Sequence, residues 1–454
     1  MLQLLLRHQV VHIMAFVHCD SAECGKAELG LFGVPPTQTE IESTQWIEHR
    51  PITTLNDSSP IEFVITGSGE EYVDLSETYL QVRAKIVKSN GGDLAQTRDP
   101  NNGNISGDDA SVGPINLWLH SLFSQIDVSL NERLVTPSLN TYPYRAYLET
   151  LLSFGPAAKE SYLSMSMWYK DTAGHMDAPS TNLGFLKRRN SILGSKEIVM
   201  IGKPHLDLCF QDRLMLNAVD IKMRLNRSKD SFSLMGDGRV KIQDACLFVR
   251  KVKVSPSIQL NHIRGLEQTT AKYPVCRVDT KVFSISKGNM MSNQQNLFLG
   301  QLPKRLVIGM VENTAFNGDI TKNPFNFQHF DVDYIALNVD GKQIPSKALT
   351  PDFSADLCTR SYASLFSGTG FMGHDRGNQI SRIEYAEGFT LFAFDLTPDL
   401  DQSGHFHLLR QGNLRLELHF KTALAQTINV IVYAEFDNVI EIDKARNVLF
   451  DYSA

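Results

Sequence analysis

Hydrophobic and polar residues alternate along much of this chain with a period of two, the pattern of a half-buried β-strand. In residues 80–86, four hydrophobic residues alternate with Gln, Arg and Lys. Alternation or short hydrophobic runs predict further strands at residues 61–65, 126–130, 220–225, 332–339, 414–420 and 428–433. Helical periodicity is confined to short stretches, chiefly 144–152 and 356–366. Because strands and helices do not alternate, the chain is predicted to be an all-β sandwich protein rather than a parallel α/β protein.

The chain contains a weak internal repeat. Residues 123–131 align without gaps on residues 330–338, since both segments begin with Phe and end with Leu-Asn. Each is followed by a proline and then by an Arg-x-Tyr sequence, at Arg145 and at Arg360. We therefore predict two similar β domains of about 200 residues, joined near residues 254–263, with Phe123 and Phe330 at equivalent places. Chance similarity between two unrelated β domains is the alternative.

Composition and charge narrow the possible functions. The chain of 454 residues is 42% hydrophobic and 21% charged, as in a globular protein. Its net charge of -6 provides no basic surface for nucleic acid, so sequence-specific binding to nucleic acid is not expected. The longest apolar runs are shorter than the ~20 residues of a membrane-spanning helix, so no membrane span is expected.

The N-terminal residues do not resemble a secretory signal. Arg7 and His8 interrupt the leucine-rich start, so Met14 is the preferred start and residues 1–13 are not expected to be native. Six cysteines are sparse for a chain of this length, which favours a reducing, intracellular environment over secretion.

Two motifs match chemical signatures only in part. Residues 368–373 fit the Gly-x-Gly-x-x-Gly fingerprint of dinucleotide sites, but a predicted helix precedes them where that site needs a strand, so a loop is expected. His405 and His407 would share one face of a strand, as the histidine ligands of metal-dependent cupins do. The glutamate expected about four residues later is missing. We therefore expect a pair of surface histidines there and no metal site.

Other reactive or charged residues lack partners at a suitable spacing. Cys19 and Cys24 have no second ligand pair for zinc and are expected to be free thiols. The basic run at residues 187–189 is expected to form a solvated turn. No catalytic or cofactor-binding residue is predicted, no cofactor is expected, and the protein is not expected to be an enzyme.

Several longer segments are similar to one family. They are residues 27–42 (AELGLFGVPPTQTEIE), Gln45-Trp46, 59–63 (SPIEF), 69–75 (GEEYVDL), 142–147 (YPYRAY), 210–214 and 227–230. Together they resemble the major capsid proteins of Polinton (Maverick) elements and adintoviruses, copies of which lie in many animal genomes. The resemblance extends from about Met14 to the C-terminus.

The resemblance implies a double jelly roll, two tandem eight-stranded sandwiches with short helices in the connecting loops. We expect an N-terminal arm at 1–44, a first jelly roll at 45–253 and a second at 254–454. As a structural major capsid protein, the chain would form pseudo-hexameric homotrimeric capsomers that assemble with neighbouring capsomers and a single jelly-roll minor (penton) capsid protein into an icosahedral shell. It would reside in the virion capsid, and in the nucleus or cytoplasm during assembly. The alternative is a ligand-binding or host-retained β-sandwich protein without a capsid role.

The predicted arm combines apolar residues with two prolines. The prolines keep the backbone extended and remove two N–H donors, so this segment is a poor strand or helix. An extended apolar peptide must pack on its own subunit or on a partner, and the resemblance to shell proteins favours the partner. The expected assembly residues are Leu29, Leu31, Phe32, Val34, Pro35, Pro36, Thr37, Gln38 and Thr39.

Overall fold

The computed structural model describes residues 27–29, 31–56, 59–67, 69–94, 97–98, 105–106, 111–298, 300–374, 377–400 and 405–451. Residues Ile41–Ala454 form one unit and Met1–Glu40 form another. Within the described residues, no helix is both long enough and apolar enough to cross a membrane.

In the first half of the larger unit, the described residues form twelve strands. They are β1 (Ile41–His49), β2 (Ile61–Ile65), β3 (Glu71–Val87), β4 (Thr97–Arg98), β5 (Ile105–Ser106), β6 (Gly113–Pro114), β7 (Phe123–Leu130), β8 (Arg133–Leu134), β9 (Ile198–Gly202), β10 (Ile221–Arg227), β11 (Leu234–Met235) and β12 (Arg239–Val254). Eight of them form two antiparallel sheets, ordered β1-β12-β3-β9 and β2-β10-β7-β8. These two sheets form the first sandwich.

The second half repeats this arrangement, with nine strands in the part that the structure describes. They are β13 (Ala271–Ile285), β14 (Met291–Gln294), β15 (Arg305–Glu312), β16 (Val332–Val339), β17 (Lys342–Leu349), β18 (Leu391–Asp395), β19 (Leu414–Phe420), β20 (Ile428–Ile442) and β21 (Val448–Leu449). The sheets are β13-β20-β15-β18, with β21 paired to β20, and β14-β19-β16-β17. They form the second sandwich.

Both sandwiches have the strand order of a jelly roll. Counted along the chain, the first of the eight strands pairs with the eighth, the eighth with the third and the third with the sixth. In the opposite sheet the second strand pairs with the seventh, the seventh with the fourth and the fourth with the fifth. The all-β prediction and the prediction of two similar eight-stranded sandwiches are therefore confirmed.

The two halves repeat each other structurally, but the predicted alignment of residues 123–131 on residues 330–338 is wrong by two residues. β7 and β16 occupy the same place in their sandwiches, and each has a bulge, at Ser124 and at Asp333. Matching the bulges places Phe123 at the position of Val332 instead of Phe330, and the hairpin turns after the two strands give the same offset. A shift of two residues keeps every side chain on its own face, so alternation alone could not distinguish the two alignments.

Short helices lie in the connections, as expected. They are Trp118–Ser121, Tyr142–Ser153, Pro156–Glu160, Leu183–Ser191, Asp230–Ser233, Pro256–Gln268, Asn313–Asn317, Thr359–Ser367 and Arg382–Ala386. Among the described residues, 3-10 turns lie at Ala27–Leu29, Tyr162–Ser166, Leu193–Ser195 and Asp207–Phe210. The two Arg-x-Tyr sequences fall in equivalent helices, Tyr142–Ser153 after β8 and Thr359–Ser367 after β17.

Strand β15 and residues 428–434 of β20 are buried on both faces. In β20, Val430 and Val432 belong to the core of the second sandwich, whereas Ile431 and Tyr433 belong to the cluster that continues into the first sandwich. The near-continuous apolar sequences of these strands follow from this double burial. The first sandwich therefore covers the outer face of the sheet β13-β20-β15-β18.

Candidate functional site

The helix Tyr142–Ser153 lies between the two sandwiches and is buried on almost every side. Ten of its 12 residues are buried, and its early proline suits a helix start because the first turn needs no N–H partner. The Tyr433 hydroxyl on β20 donates to Glu149 of this helix at 3.4 Å. Thr141 donates to the carbonyl of Thr280 on β13 at 3.2 Å. We call the contact of this helix and its neighbouring loops with the second sandwich the seam.

Aromatic side chains fill the seam. The ring of Tyr147 is parallel to that of Phe325, with centroids 4.1 Å apart and planes 7° apart. Tyr144 stacks on Phe316 at 5.5 Å and meets the edge of Phe327 at 6.4 Å. Such pairs contribute about 0.5–1.5 kcal/mol each beyond the burial of their area. The seam is therefore packed like a domain core.

A buried ionic cluster centred on Arg145 completes the seam. Its Nε donates to Glu149 Oε1 at 2.9 Å, and its Nη2 lies 2.6 Å from Asp207 Oδ1. His205 Nδ1 lies 2.5 Å from the other oxygen of Glu149. The backbone N–H of Val278, on β13, donates to Asp207 at 3.2 Å. Every member is paired, which avoids the cost of a lone buried charge.

The cluster shifts the pKa values of its two carboxyl groups in opposite directions. Burial disfavours the charge on Glu149, but the Arg145 guanidinium and the His205 ring outweigh it and lower the pKa of Glu149 to about 2. Burial is also the largest influence on Asp207, and it raises the pKa of that group despite the opposing effect of Arg145. Glu149 is therefore a carboxylate at neutral pH, and both groups accept a charge-assisted hydrogen bond from the same guanidinium.

A second buried ion pair corrects the interpretation of residues 187–189. They lie in the helix Leu183–Ser191 rather than in a solvated turn, and the Arg188 side chain is fully buried. Its Nη2 donates to Asp171 at 2.6 Å, and its other nitrogens donate to two backbone carbonyls. Asn323, from the connection before β16, donates to the second oxygen of Asp171 at 3.2 Å. The Arg188 charge can be buried because each of the three guanidinium nitrogens donates a hydrogen bond to an acceptor.

β1 is an exposed edge strand. Among the described strands it pairs with β12 alone, and the first six of its nine residues are exposed. Trp46 is 49% exposed and packs against Tyr79 with centroids 5.5 Å apart. An exposed strand edge is able to pair with a strand of another chain. β1 is therefore a candidate contact surface.

The predicted assembly residues precede β1 directly. Leu29 ends a 3-10 turn, and residues 31–39 have no regular secondary structure. All are exposed, and the apolar members Leu29, Leu31, Phe32 and Val34 are between 77% and 101% exposed. Four apolar side chains in one short exposed segment form an apolar surface without regular structure.

The helix Pro256–Gln268 connects the two sandwiches and was not predicted, since only a junction was expected near residues 254–263. It has no buried residue, and Leu260 and Ile263 are about half exposed. His262 Nδ1 is hydrogen-bonded to the hydroxyl of Tyr72 at 2.9 Å. Leu260 and Ile263 are therefore exposed apolar side chains in the connection between β12 and β13.

A cavity of about 710 Å³ lies on the second sandwich, lined by parts of β13, β20 and residues 406–411. Arg277 donates to Asn438 at 3.0 Å and its guanidinium lies 4.1 Å from the ring centre of Phe436. The Lys281 ammonium lies over the ring of Phe298 at 4.8 Å. These polar groups are engaged along the sheet surface and do not converge on one point, so we assign no reaction to the cavity.

The glycine-rich residues 368–373 do not form a dinucleotide site. The helix Thr359–Ser367 precedes residues 368–373, as predicted, and these glycines do not follow a strand. Met14, Cys19 and Cys24 lie outside the described residues. Within the described residues, the free thiols are Cys209, Cys246, Cys276 and Cys358.

One curated protein is similar to the chain over nearly its whole length. No family model matches. A Caenorhabditis elegans protein named "Uncharacterized protein F54H12.2" is 28% identical over 432 residues, which cover 92% of this chain and 99% of that protein. The name of the Caenorhabditis elegans protein states no activity.

Solved structures with the same architecture come from viruses. A chain of the Sputnik virophage matches with a TM-score of 0.63 at 11% identity, over 96% of this chain and 94% of that one. The mavirus major capsid protein matches with a TM-score of 0.54 at 11% identity, over 96% and 97%. The faustovirus major capsid protein matches with a TM-score of 0.54 at 9% identity, over 90% and 92%. The chain therefore has the double jelly-roll fold, as its sequence predicted.

Proposed function

We propose that this protein is a structural major capsid protein that builds a virus-like shell. The observation that carries the proposal is the joining of two sandwiches of identical strand order into one unit, an architecture shared over 96% of the chain with the mavirus major capsid protein. The buried seam supports it, because a shell subunit must keep its two sandwiches in one fixed orientation.

The finer identity rests on the sequence resemblance. We propose a major capsid protein of a Polinton (Maverick) element or an adintovirus, acting without enzymatic activity or cofactor. A relative of nearly full length in Caenorhabditis elegans agrees with gene copies carried in animal genomes. The protein would occupy the virion capsid after assembly inside the cell.

The proposed assembly unit is a homotrimer. Three double jelly rolls present six sandwiches around an axis, which gives the pseudo-hexameric outline of the capsomer. The proposed contacts are the exposed edge strand β1 and the assembly residues from Leu29 to Thr39. Neighbouring capsomers and a single jelly-roll penton protein are the proposed partners. The proposed boundaries remain 1–44 for the arm, 45–253 for the first jelly roll and 254–454 for the second.

The test is the mass of the purified full-length protein by light scattering, followed by electron microscopy. We expect a mass about three times the 50.9 kDa of one chain, a three-fold particle, and closed shells at higher concentration or with the penton protein. A protein that stays monomeric at micromolar concentration and forms no particles would contradict the proposal and favour a β-sandwich protein with another role.

A further inference from the structure

Two histidines and an aspartate come together in the connection between β18 and β19. One side-chain atom from each of Asp399, His405 and His407 lies within 4.8 Å of the other two. His405 Nε2 is 2.9 Å from Asp399 Oδ2, and His407 Nδ1 is 3.8 Å from Asp399 Oδ1. In the cupin pattern the carboxylate ligand is a glutamate downstream of the histidines. Here Asp399, which contacts His405, lies six residues upstream of it.

We propose that these three side chains bind a divalent transition-metal ion, with zinc as the best match. Zinc takes imidazole nitrogens and carboxylate oxygens at about 2.0–2.2 Å in a tetrahedral arrangement, which places ligand atoms about 3.3–3.5 Å apart. His405 and His407 approach different oxygens of Asp399, at 2.9 and 3.8 Å, and one ligand atom from each residue lies within 4.8 Å of the others, so small side-chain movements would bring one oxygen and two nitrogens to that spacing. Two imidazole ligands disfavour calcium and magnesium, which prefer oxygen. Three protein ligands leave a fourth position for water.

The backbone holds the two halves of this site together. The N–H of Leu396, just before Asp399, donates to the carbonyl of Lys304 at 2.8 Å. The N–H of Leu302 donates to the carbonyl of Arg410, just after the histidines, at 2.8 Å. Both ends of the connection are thus attached to the same short segment before β15. This arrangement reduces the entropy that metal binding would otherwise cost.

A histidine–aspartate hydrogen bond explains only part of the geometry. It accounts for the distance between His405 and Asp399, but the 3.8 Å between His407 and the same carboxylate exceeds the hydrogen-bond range. The imidazole rings of the two histidines lie nearly edge to face, with centroids 4.9 Å apart. Asp399 and His405 are 42% and 49% exposed, so an ion has access from solvent. A bridging ion would draw all three groups together.

Metal binding would stabilise an apolar surface beside the site. Phe406, Leu408 and Leu409 alternate with or follow the histidines and are 50%, 88% and 64% exposed. An ion held by Asp399 and both histidines would link the two ends of the connection that carries these side chains. This inference does not depend on the proposed shell role.

The test is zinc titration of the full-length protein after chelator treatment, by calorimetry, with cobalt absorption as a spectroscopic readout of nitrogen and oxygen ligands. Asp399→Asn and His407→Gln are expected to weaken zinc binding at least about tenfold, since changes even outside the first ligands cost 10–100-fold. Asp399→Asn preserves the shape of the side chain, so loss of folding is not expected. His374→Gln, at an exposed histidine outside the cluster, is the matched control and should leave the affinity unchanged.

Hydrogen exchange provides a second readout that does not depend on heat of binding. Zinc should slow exchange of the backbone amides at residues 405–411 in the wild-type protein and not in Asp399→Asn. The inference is wrong if the wild-type protein binds no zinc, or if Asp399→Asn combined with His407→Gln binds it as tightly as the wild type does.

Discussion

Arg145 and Asp207 form a buried ion pair at the seam, with 2.6 Å between Nη2 and Oδ1. Their side chains are 10% and 5% exposed. An ion pair with the same separation joins Arg382 Nη2 to Asp356 Oδ2 on the surface, where the side chains are 48% and 73% exposed. The chain thus contains two arginine–aspartate pairs of equal length that differ in burial.

The two pairs are expected to differ strongly in their effect on stability. Arg145→Met leaves Asp207 buried without its cation and Glu149 with His205 as its remaining ionic partner, and we expect a loss of about 3–5 kcal/mol in the free energy of unfolding. Arg382→Met removes an exposed partner and should cost less than about 1 kcal/mol. Urea denaturation of both variants measures the difference. Equal losses would show that the seam cluster does not stabilise the subunit.

Lys159 is a buried lysine, and among the described residues its ammonium is hydrogen-bonded to backbone carbonyls rather than to a carboxylate. Its Nζ donates to the carbonyls of Leu151 and Asn378, at 2.7 and 2.8 Å, and so links the two sandwiches. Burial is the largest influence on its pKa, and with repulsion from Lys170 it lowers the pKa to about 7, from 10.5 in a solvated lysine. Between these values the unfolded chain binds more protons than the folded chain does, so this group makes stability rise with pH.

Lys159→Met is therefore expected to change the pH dependence of stability. From pH 7.5 to 9, the free energy of unfolding of the wild type should increase relative to that of the variant by about 2 kcal/mol, because the slope approaches about 1.4 kcal/mol per pH unit. The two lost hydrogen bonds add an offset that does not depend on pH. Lys196→Met, at an exposed lysine, is the control. A difference that stays constant over this pH range would contradict the prediction.

Substituting alanine for each of two glycines should change the free energy of unfolding in opposite directions. A β-carbon at Gly309, in β15, would lie 2.5 Å from a ring carbon of Phe327 and 2.8 Å from Leu391. We expect Gly309→Ala to lower the free energy of unfolding by about 1–3 kcal/mol through overpacking. Gly265, in the helix Pro256–Gln268, has no atom within 4 Å of that position. Gly265→Ala should raise the free energy of unfolding by about 0.5–1 kcal/mol. Thermal unfolding of both variants shows whether each change stabilises or destabilises the protein.

Strand positions were predictable because burial on one face imposes a period of two. The predicted ranges 61–65, 332–339 and 414–420 coincide with β2, β16 and β19. β20 begins at the predicted residue but extends nine residues beyond 433, to Ile442. The extension contains polar residues, most of which alternate with buried ones in the structure.

Features that depend on contacts between distant segments could not be predicted in this way. The approach of Asp399 to His405 follows the path of a connection, which hydrophobic periodicity does not describe. The burial of Arg188 depends on Asp171 and two backbone carbonyls from other segments. A run of basic residues is usually solvated, so its sequence favoured the wrong interpretation.

The proposed assembly arm leads to the last prediction. Deletion of residues 1–40 removes Leu29, Leu31, Phe32 and Val34, which are exposed, so the described part of the arm contributes little buried apolar area. We expect the free energy of unfolding to stay within about 1 kcal/mol of the wild-type value. Assembly into shells should fail, because the apolar residues proposed to bind a partner are gone. Light scattering and electron microscopy of the deletion variant and the wild type in parallel measure assembly, and urea denaturation measures stability.

A full-length variant separates loss of the apolar contact from loss of chain length. Phe32→Ser combined with Leu31→Ser keeps the arm and its prolines but removes two large apolar side chains, 101% and 78% exposed. It should assemble as poorly as the deletion variant, whereas Glu40→Gln, a polar change at an exposed residue next to the assembly residues, should assemble normally. If the deletion instead lowers the free energy of unfolding by several kcal/mol and shells still form, the arm belongs to the core of its own subunit and the proposed role in assembly is wrong.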